Sequence, residues 1–308
     1  SAAHHLLEEI LAQFTGFSRA LLFSTGYMAN IGVVTALVGR EDAIFADKLN
    51  HASLNDAALL SRAKFIRFPH LDLTALEQHL AASSARRKLV ISDAVFSMEG
   101  DIAPIKQLIA LCEKYHALLL LDDAHGFGVL GEKGRGSLFL PDSDYVHSPN
   151  IVYMATLGKA AGVFGAFVAA QVDVIETLIQ SARSYIYTTA TPPLLSHVLL
   201  TSLKLIEQDE WRREALLQNI AQLKNGLQSL SWKLLPSTTP IQPLLVGEST
   251  EAVRISERLR EQGILVPAIR PPTVPQGMAR LRISLSAAHQ LRDIRRLTQA
   301  LNELALDS

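Results

Sequence analysis

Short apolar runs alternate with longer amphipathic segments over the first 170 or so residues of the chain. The apolar runs contain few polar residues and are bounded by turn or charged residues, which is typical of buried β-strands. We therefore predict six strands in this part of the chain: Leu21–Phe23, Ala43–Ala46, Phe65–Phe68, Leu89–Ile91, Leu118–Leu121 and Ile151–Met154.

The segments between these strands have apolar residues at helical spacing. Ile105, Leu108, Ile109 and Cys112 follow the i, i+3, i+4, i+7 pattern directly after Pro104, a residue that favours a helix start. Similar patterns predict helices over 6–14, 54–59 and 73–80. Strands that alternate with helices form a mostly parallel sheet flanked by helices, and such a sheet binds its ligands beyond the carboxyl ends of the strands.

The pattern changes near Pro192-Pro193. Residues 194–230 predict two long helices that are interrupted near Asp209, and a smaller alternating unit follows. We predict an α/β fold with a large domain over 1–200 and a small C-terminal α+β domain over 201–308. The elements predicted for the last part are strands at 241–246, 265–269 and 281–285, and helices at 251–262 and 291–304.

Composition excludes several classes of protein. The 308 residues are 48% hydrophobic and 19% charged, which is typical of a globular chain, and the net charge of −1 argues against a strongly basic nucleic-acid-binding protein. A single cysteine, Cys112, excludes an internal disulfide and any site with several cysteine ligands, and it fits a reducing compartment such as the cytoplasm. No apolar stretch approaches the ~20 residues that span a bilayer.

Polar residues cluster where the predicted strands end. Asp122 directly follows four leucines, and His125 lies three residues further on. Lys159 stands among small residues after the strand that ends near Met154, and His51 follows the second strand. A carboxylate at the edge of an apolar core is costly unless a cation or hydrogen-bond donor receives it, and a desolvated lysine is a good Schiff-base nucleophile.

Each of these residues could instead have a purely structural role. Asp122 could cap the following turn, Lys159 could extend its amine to solvent, and His51 could simply begin a helix. The chain lacks the phosphate-binding P-loop, the glycine fingerprint of dinucleotide folds and the nucleophile elbow of hydrolases. Asp122, His51 and His125 lack the spacing of a known metal motif, so we predict no metal site.

One cofactor needs this combination of residues. Pyridoxal phosphate (PLP) requires a lysine for its Schiff base and a carboxylate beside its pyridine nitrogen. Asp122 suits the nitrogen, because a nearby negative charge favours the protonated ring. Thr156, three residues before Lys159, is placed to help hold the phosphate, and Gly26 precedes a helix whose N-terminus can bind an anion.

The motifs at these strand ends resemble those of the α-oxoamine synthases, which are PLP enzymes of fold type I. The resemblance covers essentially the whole chain. Its motifs are Ser24-Thr25-Gly26-Tyr27-Met28-Ala29-Asn30, Asn50-His51-Ala52-Ser53, Val95-Phe96-Ser97-Met98-Glu99-Gly100-Asp101, Asp122-Asp123-Ala124-His125-Gly126 and Thr156-Leu157-Gly158-Lys159-Ala160.

The resemblance implies a role for each matching residue. Lys159 would form the Schiff base with PLP, Asp122 would pair with the pyridine nitrogen, and His125 would contact the ring hydroxyl. His51 would stack on the ring and approach the substrate. Further contacts to the cofactor would come from Gly26, Tyr27, Ser97, Thr156 and, across a homodimer interface, Thr189, and contacts to the substrate from Arg270 and Thr273.

The resemblance also implies the reaction. The segment from Ala268 to Pro275, followed by 279–283, favours the members of the family that join L-alanine to pimeloyl-CoA or pimeloyl-ACP in biotin biosynthesis. The alternatives are a member that joins glycine to acetyl-CoA and a PLP-fold subunit without catalytic activity. Neither nucleic acid nor a membrane is an expected partner.

Two departures from the family are visible. The family has several tens of residues before the point that corresponds to Ser1, including a Gly-rich segment and an arginine that helps to bind the acyl substrate. We expect such a segment to precede Ser1 in a longer chain and to become ordered when substrate or cofactor binds. We therefore expect a structure that begins at Ser1 to represent a state without bound substrate or cofactor. The stretch 138–150 is longer than the family implies, which predicts a variable surface loop.

Overall fold

The chain folds into two compact units. The computed structural model describes residues 1–141 and 148–306, so the middle of the loop predicted at 138–150 lies outside the described residues. The first unit comprises Ser1–Phe96 and Ala103–Gln208, and the second comprises Ser97–Ile102 and Asp209–Ser308. The predicted domain boundary at residue 200 falls inside a helix of the first unit.

The first unit contains a seven-stranded sheet, and the predicted α/β fold is confirmed. Its strands are β1 (Arg19–Phe23), β2 (Ala43–Asp47), β3 (Lys64–Phe68), β4 (Lys88–Asp93), β5 (Leu118–Asp122), β6 (Ile151–Thr156) and β7 (Ala166–Ala170). Its helices are α1 (Ala2–Thr15), α2 (Gly26–Leu37), α3 (Ala52–Ser61), α4 (Leu73–Ala81), α5 (Ile105–Lys114), α6 (Val172–Ser181), α7 (Arg183–Ile186) and α8 (Pro193–Gln208).

The strands of this sheet lie in the order β1-β7-β6-β5-β4-β2-β3. All neighbouring pairs are parallel except those made by β7, which runs antiparallel to both β1 and β6. The carboxyl ends of β1, β2, β4, β5 and β6 therefore meet at one edge of the sheet. In this register Asp93 pairs with Asp122, and Asp122 pairs with Met154.

Apolar packing against this sheet explains why these elements form. The central strands are fully buried, and Ile91, Leu120 and Val152 belong to one core cluster with Val33 of α2 and Leu54 of α3. Burial on both faces removes the polar alternation that marks a half-exposed strand, which is why these strands read as continuous apolar runs. The six predicted strands are confirmed, each extended by one to three residues.

The sequence did not predict β7, α6, α7 or a two-residue strand, β8 (Lys233–Leu234). The strand β7 consists of small residues around Phe167 and Val168, so its intrinsic preference for strand is weak, and pairing with β1 and β6 determines it. The strand predicted at 265–269 is much shorter, because only Ala268–Ile269 pairs. Pro267 precedes it and has no N–H to donate to a sheet.

The second unit contains an antiparallel sheet in the order β10-β11-β9-β8. Its elements are α9 (Glu210–Gly226), β8, β9 (Ile241–Gly247), α10 (Ser249–Glu261), β10 (Ala268–Ile269), β11 (Ala279–Ser284) and α11 (Leu291–Leu306). The interruption predicted near Asp209 is confirmed, since α8 ends and α9 begins there. Within the described residues, no helix combines the length and apolarity that a membrane span requires.

A buried carboxylate fixes the loop that follows β5. Asp123 is fully buried and accepts hydrogen bonds from Ser137 N (2.7 Å), Ser137 Oγ (2.5 Å) and Tyr153 Oη (2.8 Å). A Cβ at Gly136, whose φ is +112°, would lie 2.4 Å from Asp123 Oδ2. Burial nevertheless raises the pKa of the Asp123 carboxyl from 3.8 to about 6, because desolvation outweighs these hydrogen bonds.

This raised pKa predicts a pH-dependent stability. Between pH 3.8 and about 6 the unfolded chain loses the Asp123 proton while the folded chain keeps it, so wild-type stability falls as the pH rises. At about 1.4 kcal/mol per pKa unit, Asp123→Asn should gain about 3 kcal/mol relative to wild type across this range. Denaturant unfolding of both proteins from pH 4 to pH 7 measures the difference. A difference that does not change with pH would contradict the assignment.

Candidate active site

The carboxyl edge of the large sheet brings most of the predicted site residues into one region. Asp122 ends β5, Thr156 ends β6, and Gly26 begins α2 just after β1. His51 precedes α3, and its backbone N–H donates to Asp93 Oδ2 at the end of β4 (2.6 Å). The parallel register therefore gathers residues that lie more than 100 positions apart in the sequence.

Asp122 is a buried carboxylate that receives two hydrogen bonds. Ala124 N donates to Oδ1 at 3.0 Å, and Asn30 Nδ2 donates to Oδ2 at 2.8 Å. Burial raises the pKa of Asp122, and the Asn30 hydrogen bond opposes that rise. Charge interactions with Lys159 and His51 also lower the pKa of Asp122, but by less than burial raises it. A buried carboxylate of this kind can stabilise a further cationic group beside it.

The side chains of Lys159 and His125 contact each other. Lys159 Nζ lies 2.8 Å from His125 Nε2, at the end of the segment that follows β6. The lysine is exposed, which corrects the expectation of a desolvated amine. The strands place Lys159 at the sheet edge, but the surrounding residues Gly158, Ala160 and Gly162 are too small to cover it.

The first turn of α2 presents unused backbone donors. Thr25 caps the helix, and its Oγ1 accepts from Met28 N at 3.1 Å. The N–H groups of Gly26 and Tyr27 donate to no acceptor among the described residues. A Cβ at Gly26 would meet only the Met154 side chain, at 3.7 Å, so the protein leaves open space there. The Tyr27 hydroxyl donates to Asp56 Oδ2 at 2.8 Å.

Thr156 and Thr189 have different surroundings. The Thr156 hydroxyl donates to Gly165 O at 3.1 Å and accepts from Gly158 N at 3.4 Å, so it supports the turn before Lys159. Thr189 is exposed and lines a cavity of about 430 Å³ together with Ser24 and the start of α1.

Three predicted residues belong to the second unit. Ser97 O accepts from Arg282 Nε at 2.6 Å. Arg270 and Thr273 are exposed and close a turn through Thr273 N and Arg270 O (3.0 Å). The roles of these three residues stay predictions.

Sequence reasoning missed three buried residues of the site: Asn30, Ser53 and Asp93. In the sequence, Asn30 and Ser53 stand out only as members of longer motifs, and Asp93 only as one member of a polar run. Each is at least 95% buried. A polar residue on an otherwise apolar helix face, as Asn30 is on α2, is the signal that would have identified it.

The residues present fit PLP. A buried carboxylate suits the pyridine nitrogen, and an exposed amine beside an imidazole suits the aldehyde and ring hydroxyl. Open N–H groups at a helix N-terminus suit the phosphate.

Comparison with known proteins decides the family. The family model described as aminotransferase class I and II matches residues 1–301. The chain belongs to this family. It is also 68% identical over 305 residues to the 8-amino-7-oxononanoate synthase of Nitrosomonas eutropha, covering 99% of this chain and 79% of that protein, and it belongs with these synthases inside the class I and II family.

Solved structures of the family agree. An 8-amino-7-oxononanoate synthase from Francisella tularensis matches with a TM-score of 0.87 and 32% identity, covering 100% of this chain and 88% of that one. A serine palmitoyltransferase from S. paucimobilis, solved with a bound PLP–myriocin aldimine, matches with a TM-score of 0.93 and 29% identity, covering 100% and 77%. The type I fold of PLP enzymes that the resemblance implies is therefore confirmed, and structural neighbours bind PLP.

Asp93 and Asp122 are buried carboxyl groups on neighbouring strands. Burial raises the pKa of Asp93 well above the usual range, and the neighbouring Asp122 raises it further. We expect Asp93 to hold a proton at neutral pH and Asp122 to carry the charge. Difference infrared spectra of wild type and Asp93→Asn should show a protonated-carboxyl band that the variant loses.

The matched control for this experiment is the exposed Asp173 of α6. Asp173→Asn should leave the band in place. Because the folded state prefers protonated Asp93, Asp93→Asn should also be at least as stable as wild type above neutral pH. A variant that keeps the band, or that is clearly less stable at pH 8, would show that Asp93 is ionised.

Proposed function

We propose that this chain is a PLP-dependent acyltransferase that condenses L-alanine with pimeloyl-CoA, or with pimeloyl-ACP, to form 8-amino-7-oxononanoate. The observation that carries the proposal is the arrangement of Asp122, His125 and Lys159 at adjacent strand ends. The identity of 68% to a synthase of that name supports this choice of substrates.

The overall reaction balances without any further reactant except a proton. A carbon–carbon bond forms between the alanine Cα and the thioester carbonyl carbon, and the carbon–sulfur bond breaks, so that CoA leaves as its thiol. The alanine carboxylate leaves as CO₂, and Cα takes up a proton. PLP, when bound, supplies a protonated ring that accepts the electrons of the Cα–H and Cα–carboxylate bonds.

Each site residue has a task toward this chemistry. Asp122 would hold a negative charge near the ring nitrogen and would keep it protonated, because an opposite charge favours the charged form. Lys159 Nζ would hold the cofactor aldehyde in the resting enzyme and would move the proton at the substrate Cα. His125, 2.8 Å from Lys159 Nζ, orients this amine and is positioned to contact the ring hydroxyl.

The remaining predicted residues bind and orient. Gly26 and Tyr27 offer backbone N–H groups to the phosphate, and Thr156 supports the turn that presents Lys159. His51 would cover one face of the ring and would approach the substrate. Ser97, Arg270 and Thr273 are proposed to contribute further cofactor and substrate contacts.

A direct assay tests the proposed function. The purified protein, with PLP added, is mixed with either L-alanine or glycine and with either pimeloyl-CoA or acetyl-CoA, and CoA thiol and CO₂ are measured for each of the four pairs. We expect both products only with L-alanine. Release with glycine and acetyl-CoA instead would indicate a different α-oxoamine synthase, and a PLP-binding protein without release from any pair would indicate a subunit without catalytic activity.

Lys159→Ala should reduce turnover by a factor of at least 10²–10⁴, because the general base is lost together with the covalent link to the cofactor. The control is Lys133→Ala, which removes another exposed lysine, one that is paired with Glu207 at 3.6 Å. Steady-state kinetics of both variants measure the effect. More than a tenth of wild-type activity in Lys159→Ala would refute the role of this lysine.

Asp122→Asn should lower kcat strongly while cofactor still binds at high PLP concentration. The variant preserves the shape of the side chain and removes the charge that holds the ring proton. Titration of the visible absorption of bound PLP, together with kcat, separates binding from catalysis. A kcat equal to that of the Asp173→Asn control would mean that Asp122 is only structural.

We further propose that the active site is shared across a two-fold homodimer, with Thr189 of one subunit reaching the phosphate held by the other. Lys159→Ala and Thr189→Ala subunits are co-expressed with different tags and purified as mixed dimers. One intact site per mixed dimer should restore about half of wild-type activity, whereas neither parent variant is fully active. Mixed dimers no more active than the Thr189→Ala parent, or a fully active monomer, would contradict the shared site.

A further inference from the structure

Three consecutive hydrogen bonds connect Asp122 with His51. Asn30 Nδ2 donates to Asp122 Oδ2 at 2.8 Å and to Ser53 Oγ at 2.8 Å, and Ser53 Oγ lies 2.8 Å from His51 Nδ1. Asn30 is 0% exposed and Ser53 is 1% exposed. Their helices α2 and α3 pack against each other, which brings both side chains behind the sheet edge.

The charge on Asp122 determines the orientation of the Asn30 amide. An ionised carboxylate can only accept hydrogen bonds, so the amide must present its NH₂ group and not its oxygen. In this orientation Asn30 Oδ1 is buried and has no hydrogen-bond partner among the described residues. A flipped amide would place that oxygen against the Asp122 carboxylate, where two acceptors repel each other. The amide therefore keeps the orientation that leaves Oδ1 unsatisfied, because its NH₂ group must face both Asp122 Oδ2 and Ser53 Oγ.

The amide orientation in turn determines the direction of the Ser53 hydroxyl. Each of the two protons on Asn30 Nδ2 has an acceptor, one at Asp122 and one at Ser53 Oγ. Because Ser53 Oγ accepts from Asn30, its own proton is left to point at His51 Nδ1. The backbone N–H of Ser53 also donates to His51 Nδ1, at 3.2 Å. His51 Nδ1 thus faces two donors and acts as an acceptor.

We propose that Asn30 and Ser53 are positioning residues that transmit the charge state of Asp122 to His51 and hold its ring in the tautomer that carries the proton on Nε2. His51 can then offer Nε2–H as a hydrogen-bond donor to a carboxylate or carbonyl oxygen of a substrate. The role of His51 toward a substrate rests on the proposed function, whereas the positioning of its ring by Asn30 and Ser53 concerns the protein alone. The hydrogen bond from His51 N to Asp93 fixes the backbone of the same residue independently of the ring.

The tautomer is measured in protein labelled with ¹⁵N at histidine, at a pH where imidazole is neutral. Two-bond nitrogen–proton correlations distinguish the protonated ring nitrogen from the bare one, and His51→Gln identifies the signals. In wild type, without cofactor, we expect a bare Nδ1, a protonated Nε2 and a wide separation between their shifts. A protonated Nδ1 in wild type would overturn the proposal, whatever the behaviour of any variant.

Ser53→Ala removes the hydroxyl and keeps the backbone donor at 3.2 Å. The separation of the two nitrogen shifts should therefore shrink as the second tautomer becomes populated. Ser61→Ala is the matched control, since Ser61 is also a buried serine of α3 but, within the described part of the chain, hydrogen-bonds only to Ala58 O and Ala63 N. Equal shifts in the two variants would show that Ser53 does not select the tautomer.

Asn30→Ala tests the link to Asp122. Without the amide, the Ser53 hydroxyl is free to turn, so the His51 shifts should converge as they do in Ser53→Ala. Loss of a hydrogen bond to the charged Asp122 should also raise the Kd for PLP about tenfold or more. Unchanged His51 shifts in Asn30→Ala would refute the transmission from Asp122. Absence of PLP binding in wild type would refute the proposed function and leave the tautomer result standing.

Discussion

The candidate site depends on one buried carboxylate at the end of a parallel strand. Asp122 lies where β5 leaves the apolar core, so its charge is desolvated, and the nearby Lys159 and His51 offset only part of the resulting rise in its pKa. Two donors, Ala124 N and Asn30 Nδ2, offset only part of that cost. In the proposed complex, the cationic ring nitrogen of PLP would offset more of this cost, so cofactor binding would depend on the same burial that builds the sheet.

The topology of the sheet explains why the other groups surround this carboxylate. Parallel strands β4, β5 and β6 end at one edge, so Asp93, Asp122 and the segment that carries Lys159 become neighbours. The adjacent Asp123 makes its contacts with Ser137 and Tyr153 and anchors the loop that contains His125. Of these two consecutive aspartates, Asp123 secures the loop, whereas Asp122 is the one proposed to bind the cofactor.

Much of the fold and part of the site could be predicted from the sequence, because fully buried strands and their polar ends leave local signals. Asp122 and Lys159 stand out next to apolar runs. Asn30 and Ser53 could not be assigned in this way, since their importance comes from a contact between helices 23 residues apart in the chain. The strand β7 was missed because pairing, and not its own residues, determines it. The exposure of Lys159 depends on small neighbours that periodicity does not reveal.

Under the proposed function, PLP binds covalently to Lys159 while its ring nitrogen lies beside Asp122. Borohydride reduction of the PLP-loaded protein fixes the cofactor to the lysine that holds it, and peptide mass spectrometry then locates the label. We expect the label on Lys159 alone, and a much smaller yield in Asp122→Asn at limiting PLP. Label on another lysine, or an equal yield in the two proteins, would contradict it.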